Sequence, residues 1–341
     1  MKLLDLHPVT RGLAVWNSGA WRFGAEALAA CRVDPLATCW DVWEAMSLIP
    51  LAAKRDGVRH RADLAVRMLH AAGDAGKEPC VALVPAGWEK EEMRVFLGAA
   101  AAADIPVRWL SSRAGAVAAR AALDGDTCSV LEWSWTRLQQ VHFVRGEDGG
   151  WRQEGVRNLA EAGILACFRR EALAVQDLAL EEFRFDPLYS GRTEQGLFSG
   201  WWTALGEGKA WSVSTPDGGR MALSDERERF ARLHTDMLAD VTDAETVVAP
   251  AAFLRMLGWS RATAEPSPGA EVEVEDHDAP SARWREHLGL LSAGQGLRAT
   301  HVVIDGVAEP WPGDAAPGER VTLPDGRTAL AVHVRGHHGA A

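Results

Sequence analysis

With 341 residues, 47% of them hydrophobic, the chain can bury a sizeable core in about two domains, and disorder as its main state is excluded. A formal net charge of -11, from 47 acidic against 36 basic residues, offers no broad basic face to a phosphate backbone, so nucleic acid is not an expected partner. Cys31, Cys39, Cys80, Cys128 and Cys167 are scattered without a CxxC pair, which fits free, buried thiols in a reducing compartment better than a disulfide or zinc framework. The opening MKLLDLHPVTRG has an apolar stretch too short for a signal peptide, and nowhere do roughly 18 apolar residues run together as a spanning helix needs, so a cytoplasmic protein without a transmembrane segment is expected. Fifteen tryptophans against one tyrosine is a bias that GC-rich codon usage explains without any function.

In chain order, KLLDL and LAVWNS flank the turn HPVTRG and predict a hairpin. Apolar spacing from about 25 to 75 predicts helices broken at Pro35, Pro50 and Gly57. VALVP (81–85) reads as a strand buried on both faces, GWEKEEMRVFLGAAAAAD as a helix, IPVRWL as a strand and SRAGAVAARAAL as a helix, which together form a βαβ unit. The segment 127–145 predicts two strands around a turn, with Trp133 and Trp135 projecting from one strand face on either side of Ser134. Residues 158–185 predict a helix, and KAWSVSTPDGGRMAL predicts a hairpin turning at Pro216 to Gly219. Ser224 is placed to cap a helix over DERERFARLHTDMLADV, and TVVAPAAFLRML reads as strand, loop and helix. The acidic stretch 263–280 is expected to be an exposed connection enclosing one edge strand, EVEVE. After about 299, THVVID, RVTL and ALAVHV read as a small β appendage or a final β layer, followed by a frayed tail.

The order of these pieces resembles the nucleotide-binding fold shared by actin, sugar kinases and the seventy-kilodalton heat-shock chaperones. LLDLHPVTRGLAVW is similar to the family's first strand, aspartate, glycine and threonine turn and second strand. The segment from VALVP to ARAAL looks like the chaperones' strand, proline, helix, strand and alanine-rich helix. SVLEWSWTRLQQVHFV stands where the family has its second phosphate loop, and VVAPAAFLRML where it has a glycine pair beside the adenosine. The likeness covers residues 1 to about 295 by element order and 81–125 by local similarity. It implies an α/β protein with the two-lobed fold of the actin-like ATPases, which is ribonuclease H-like. The first lobe would span 1–125, the second 126–298, and a β-rich C-terminal segment and tail 299–341.

Phosphate cradles use glycine because a backbone amide must approach an oxygen to about 2.9 Å. Here His7 and Pro8, then Trp133 and Trp135, then Ala249 and Pro250 stand at the three family loops, and each proline also removes an amide donor. Losing three cradles that jointly grip one triphosphate implies a pseudo-ATPase with no catalytic residue, no metal and no cofactor. By resemblance Asp5 would hold magnesium-bound water; as a bare residue it is a turn cap. Glu132 is the counterpart of the family's second acid or a solvated strand-end carboxylate. With Ser134 these two form the contact set only if nucleotide is bound, and then ATP and magnesium are the cofactors. The two indoles are expected to fill the old cleft, with stacking on a ligand base as the alternative.

His234 and Asp236 are two residues apart on a predicted helix and share no face, so no metal or triad follows. GxSxG, GxxxxGK[ST] and HExxH are absent. Trp201 and Trp202 are candidates for a partner surface, one of them for the core. The expected function is that of a non-catalytic, chaperone-like or actin-like scaffold that binds another protein, such as a regular heat-shock chaperone or an envelope-associated assembly. The alternatives are a divergent ATPase or small-molecule kinase, and a filament subunit, against which the acidic surface argues mildly.

Overall fold

The computed structural model describes residues 2–73, 78–120, 125–146, 151–159, 161–223, 227–234 and 246–257, and, by backbone alone, 271–275, 301–304, 307–310, 320–322 and 328–335. Over these residues the protein is mixed α/β, built around two larger sheets. In the first, Lys2–Asp5 pairs parallel with Cys80–Val84, which pairs parallel with Val107–Ser112. All five residues of Cys80–Val84 are buried, as expected for an uninterrupted apolar strand with a neighbour on each side. The crossover to Val107–Ser112 is the helix Lys90–Ala102, whose Glu92 carboxylate accepts from the Glu89 amide at its start (3.0 Å) and whose Met93, Phe96, Leu97 and Ala100 are buried. Thr328–Arg335 lies parallel to Val107–Ser112 on the far side and carries His301–Ile304, Val307–Pro310 and Arg320–Thr322 with it. The C-terminal strands therefore extend the sheet that the N terminus opens.

The second sheet begins as an antiparallel meander, Thr127–Trp133, Leu138–Arg145 and Trp151–Leu159. On the other side of Thr127–Trp133 the chain adds Thr246–Pro250 and then Glu271–Glu275, both parallel, so EVEVE takes the edge position read from its charge. Helices Ile164–Phe183, Gly191–Glu207 and Ala251–Met256 pack beside this sheet around Phe168, Phe198, Trp201, Trp133, Trp135 and Phe253. The hairpin Ser212–Ser214 with Arg220–Ala222 forms as expected, with Gly218 in the left-handed region of its turn.

Four expectations need correction. Lys2–Asp5 and Ala14–Asn17 do not form a hairpin. Pro8 starts a helical turn, Pro8–Arg11, and the His7 side chain accepts from the Val9 amide (3.2 Å) while the His7 carbonyl accepts from Arg11 (3.0 Å). That turn sends the chain away from the first sheet, and Ala14–Asn17 instead pairs with Ala20–Phe23 through Ser18 and Gly19, both at positive φ. Second, the stretch 25–75 is not helical throughout: Pro50–Arg55 and Val58–His60 form a hairpin across Asp56 and Gly57, again both left-handed, before helix Arg61–Ala71. Asp-Gly closes a two-residue hairpin because its backbone twist matches that of the strands, and this signal outweighed the helical spacing. Third, the helix expected over 158–185 starts only at Ile164, because the meander's last strand runs to Leu159. Fourth, Pro250 leads into Ala251–Met256 with no loop between. Ser224 and Asp236 lie outside the described residues.

Candidate functional site

The parallel strands of the first sheet end along one edge, at Asp5, at Val84 before Pro85 to Gly87, and at Ser112. In open α/β sheets this edge carries the loops that meet ligands. Here it meets the second sheet. Asp5 lies 3.4 Å from the guanidinium Nε of Arg113, a buried residue that opens helix Arg113–Arg120 directly after the third parallel strand. Glu132, one residue before the end of its strand, is buried rather than solvated, and its Oε2 accepts from the Ala86 amide (3.0 Å). Asp5 and Glu132 thus reach the same edge of the first sheet. Gln139, directly across the ladder from Glu132, lies so close that a Cβ on Gly87 would stand 2.4 Å from its Nε2.

Ser134 turns away from that edge. Its amide (2.9 Å) and its hydroxyl (2.7 Å) both donate to the Arg137 carbonyl, closing a tight turn just past the strand. Trp135 lies in that turn, not on the strand as the alternation of the sequence predicts. It is nonetheless buried in the same cluster as Trp133. The Trp135 indole donates to the Val9 carbonyl (3.1 Å) and its ring centroid sits 5.3 Å from those of Trp40 and Trp202. The Trp133 indole donates to the Ala162 carbonyl (2.9 Å) and its ring packs on Phe253. Both indoles fill space between elements. Of the other pair, Trp201 is core and Trp202 is half-buried.

The inner side of the Ser134 turn is met by Glu44, 5% exposed, which the sequence reading passed over. Its Oε1 accepts from the Trp135 amide (2.9 Å), the Thr136 amide lies 3.3 Å from Oε2, and the Thr136 hydroxyl donates to Oε2. Arg137 donates to the Glu44 carbonyl (2.8 Å), with its Nε 3.9 Å from the carboxylate. Burial pushes the Glu44 carboxyl up from its ordinary value, and the hydroxyl and amide of Thr136 and the charge of Arg137 oppose that shift. A lone carboxylate amid Val42, Trp43, Ala45 and Met46 is a visible signal in the sequence, since a charge in an apolar run needs a partner.

The backbone of this region tolerates no added bulk. A Cβ on Gly163 would stand 2.3 Å from the Thr136 carbonyl carbon and 2.4 Å from the Arg137 amide. Gly163→Ala is therefore expected to cost about 1–3 kcal/mol in urea denaturation, whereas Gly155→Ala, with open space around it, stays within about 0.5 kcal/mol.

Elsewhere, buried titratable groups are tied into the core. His234 is fully buried, with Nε2 2.9 Å from Glu171, whose other oxygen accepts from the Trp201 indole (2.9 Å). Burial pushes the thiols of Cys31, Cys39, Cys128 and Cys167 up to about 12, so at neutral pH they are protonated and unreactive as nucleophiles. Among the described residues no group of three or more His, Cys, Asp or Glu side chains is placed to hold a metal ion, and no helix is long and apolar enough to cross a membrane. No model of a known protein family matches the chain, and no curated protein matches it.

Proposed function

We propose that this chain is a non-catalytic protein of actin-like, two-lobed architecture that works by binding another protein, and that groups of its own occupy the place where an actin-like ATPase would grip a triphosphate. One observation carries the reading. Backbone amides at the first and second loops already have acceptors within the chain: Val9 has His7, Ser134 has the Arg137 carbonyl, and Trp135 and Thr136 have Glu44; beside them, past strand Cys80–Val84, Ala86 has Glu132. At the third loop Ala249 is buried and Pro250 has no amide to give. An acidic side chain that would meet magnesium, Asp5, instead faces Arg113. Phosphoryl transfer depends on such donors being free to face the transferred group.

The second sheet supports the kinship further, because an antiparallel meander flanked beside its first strand by two parallel strands is compatible with a ribonuclease H-like lobe. In the first sheet the antiparallel strands Val307–Pro310, His301–Ile304 and Thr328–Arg335 lie beside the parallel ones but do not follow one another in chain order. The protein-binding role is proposed with it, and Leu36 and Tyr189, 88% and 86% exposed, are apolar side chains that a partner could meet. A cytoplasmic location belongs to the same proposal.

Thermal melting with magnesium and ATP tests it. Nucleotide that binds only the folded state raises the melting temperature, so millimolar ATP is expected to leave it unchanged. A saturable, magnesium-dependent rise would overturn the proposal in favour of a divergent ATPase or kinase that contacts nucleotide through Asp5, Glu132 and Ser134.

A further inference from the structure

The turn that follows strand Thr127–Trp133 has the donor set of an oxyanion site. Two successive backbone amides, of Trp135 and Thr136, point the same way, and the Thr136 hydroxyl and the Arg137 guanidinium join them around one carboxylate. Consecutive N–H groups of this kind form a concavity with partial positive charge, and charge-assisted hydrogen bonds to an anion are the strong ones. The concavity is held from behind, independently of its occupant. The Ser134 and Trp135 carbonyls accept from the Ile164 and Leu165 amides (2.9 and 3.0 Å), Ser134 closes the turn onto Arg137, and Gly163 packs against its backbone. The occupant comes from a segment that precedes Trp135 by 91 residues in the chain.

We infer that the Trp135 to Arg137 turn is an oxyanion-binding cradle and that Glu44 is its built-in ligand, a carboxylate that keeps the site closed to free phosphate-like anions. The inference deepens the proposed function, on whose reading of the second loop it rests, by naming the chemical class that the closed site would take, a phosphate-like oxyanion. Truncating one side of an ordinary bridge leaves a side chain that can swing to another partner. Here the two amides belong to the backbone and persist, so removing the carboxylate uncovers them. An uncovered, buried donor pair either draws in an anion of similar size or stays unpaired at a cost to the fold.

The experiment follows the melting temperature of Glu44→Ala against inorganic phosphate, with chloride at matched ionic strength as the reference. Phosphate stabilises most proteins weakly by exclusion from their surface, so the wild type sets the baseline. Glu44→Ala is expected to melt lower than the wild type in chloride and to recover along a saturating curve, by about 5 °C at a hundredfold excess over half-saturation. Glu44→Ala combined with Arg137→Ala is expected to lose that recovery. If the single variant responds to phosphate no more than the wild type does, or if the double variant responds as strongly as the single one, the cradle is disproved. If Glu44→Ala is unfolded in chloride, far-ultraviolet circular dichroism in phosphate decides: recovery of structure supports the cradle, and continued absence of structure overturns it. ATP binding by the wild type would refute the proposed function and leave this result untouched.

Discussion

Trp135→Ala is expected to lower the stability of the protein by about 3–5 kcal/mol, the range for deleting a large aromatic side chain from a core. The ring is fully buried and lies against Trp40, Phe198 and Trp202, so its loss opens a cavity that three stiff neighbouring rings cannot collapse into. Its indole N–H also satisfies the Val9 carbonyl, which the truncation leaves without that donor. Trp135→Phe keeps most of the apolar volume and removes the hydrogen bond, so a smaller cost of about 1–2 kcal/mol is expected. Urea denaturation of both variants against the wild type checks the ranking. A Trp135→Ala cost below that of Trp135→Phe would show that the indole is not the wedge described above.

Glu171→Leu should rank close behind. The carboxylate of Glu171, on helix Ile164–Phe183, holds the indole N–H of Trp201 on helix Gly191–Glu207 and the Nε2 of His234 beyond helix Arg227–Arg232. It ties three segments together inside an aromatic core. Leucine fills similar space but gives both groups nothing to bond, and each buried group left unsatisfied costs about 1–3 kcal/mol. The expected total is about 2–6 kcal/mol. Glu171→Gln should cost far less, because its carbonyl oxygen still accepts from Trp201 and its amide can donate to Nε2 once the imidazole proton sits on Nδ1. Denaturant midpoints for the two variants decide the matter. Equal losses would mean that the hydrogen bonds contribute little and the side chain acts through volume.

The two expected results share a cause with the candidate site. Three acidic side chains of this region find their partners in distant segments. Glu44 meets Trp135 and Thr136, Glu132 meets Ala86, and Asp5 meets Arg113. A ligand arriving at this edge would have to displace an internal bond at each of these points and find a replacement for the group it displaces. That requirement is the physical content of a closed site, and it accounts for the flat response to ATP expected of the wild type.

How much of this was readable beforehand depended on the distance over which each feature is encoded. The helix Lys90–Ala102 and its two flanking strands, the strand pair Thr127–Trp133 and Leu138–Arg145 and the hairpin around Gly218 follow from period, turn residues and capping, which report on neighbours two to four residues away, whereas the third meander strand Trp151–Leu159 carries no such signal. The hairpin at Asp56 and Gly57 was written in the same local terms, but the apolar spacing around it was read as helical. Local pattern could not say which strand Lys2–Asp5 would pair with, because that depends on the direction the chain takes after Pro8. Nor could it place Glu44 against Trp135. The sequence alone determined that a carboxylate in an apolar run and two indoles beside a serine would need partners. Only the packing of segments distant in the chain decided what those partners are, because a hydrogen bond between such segments leaves no periodic trace in either of them.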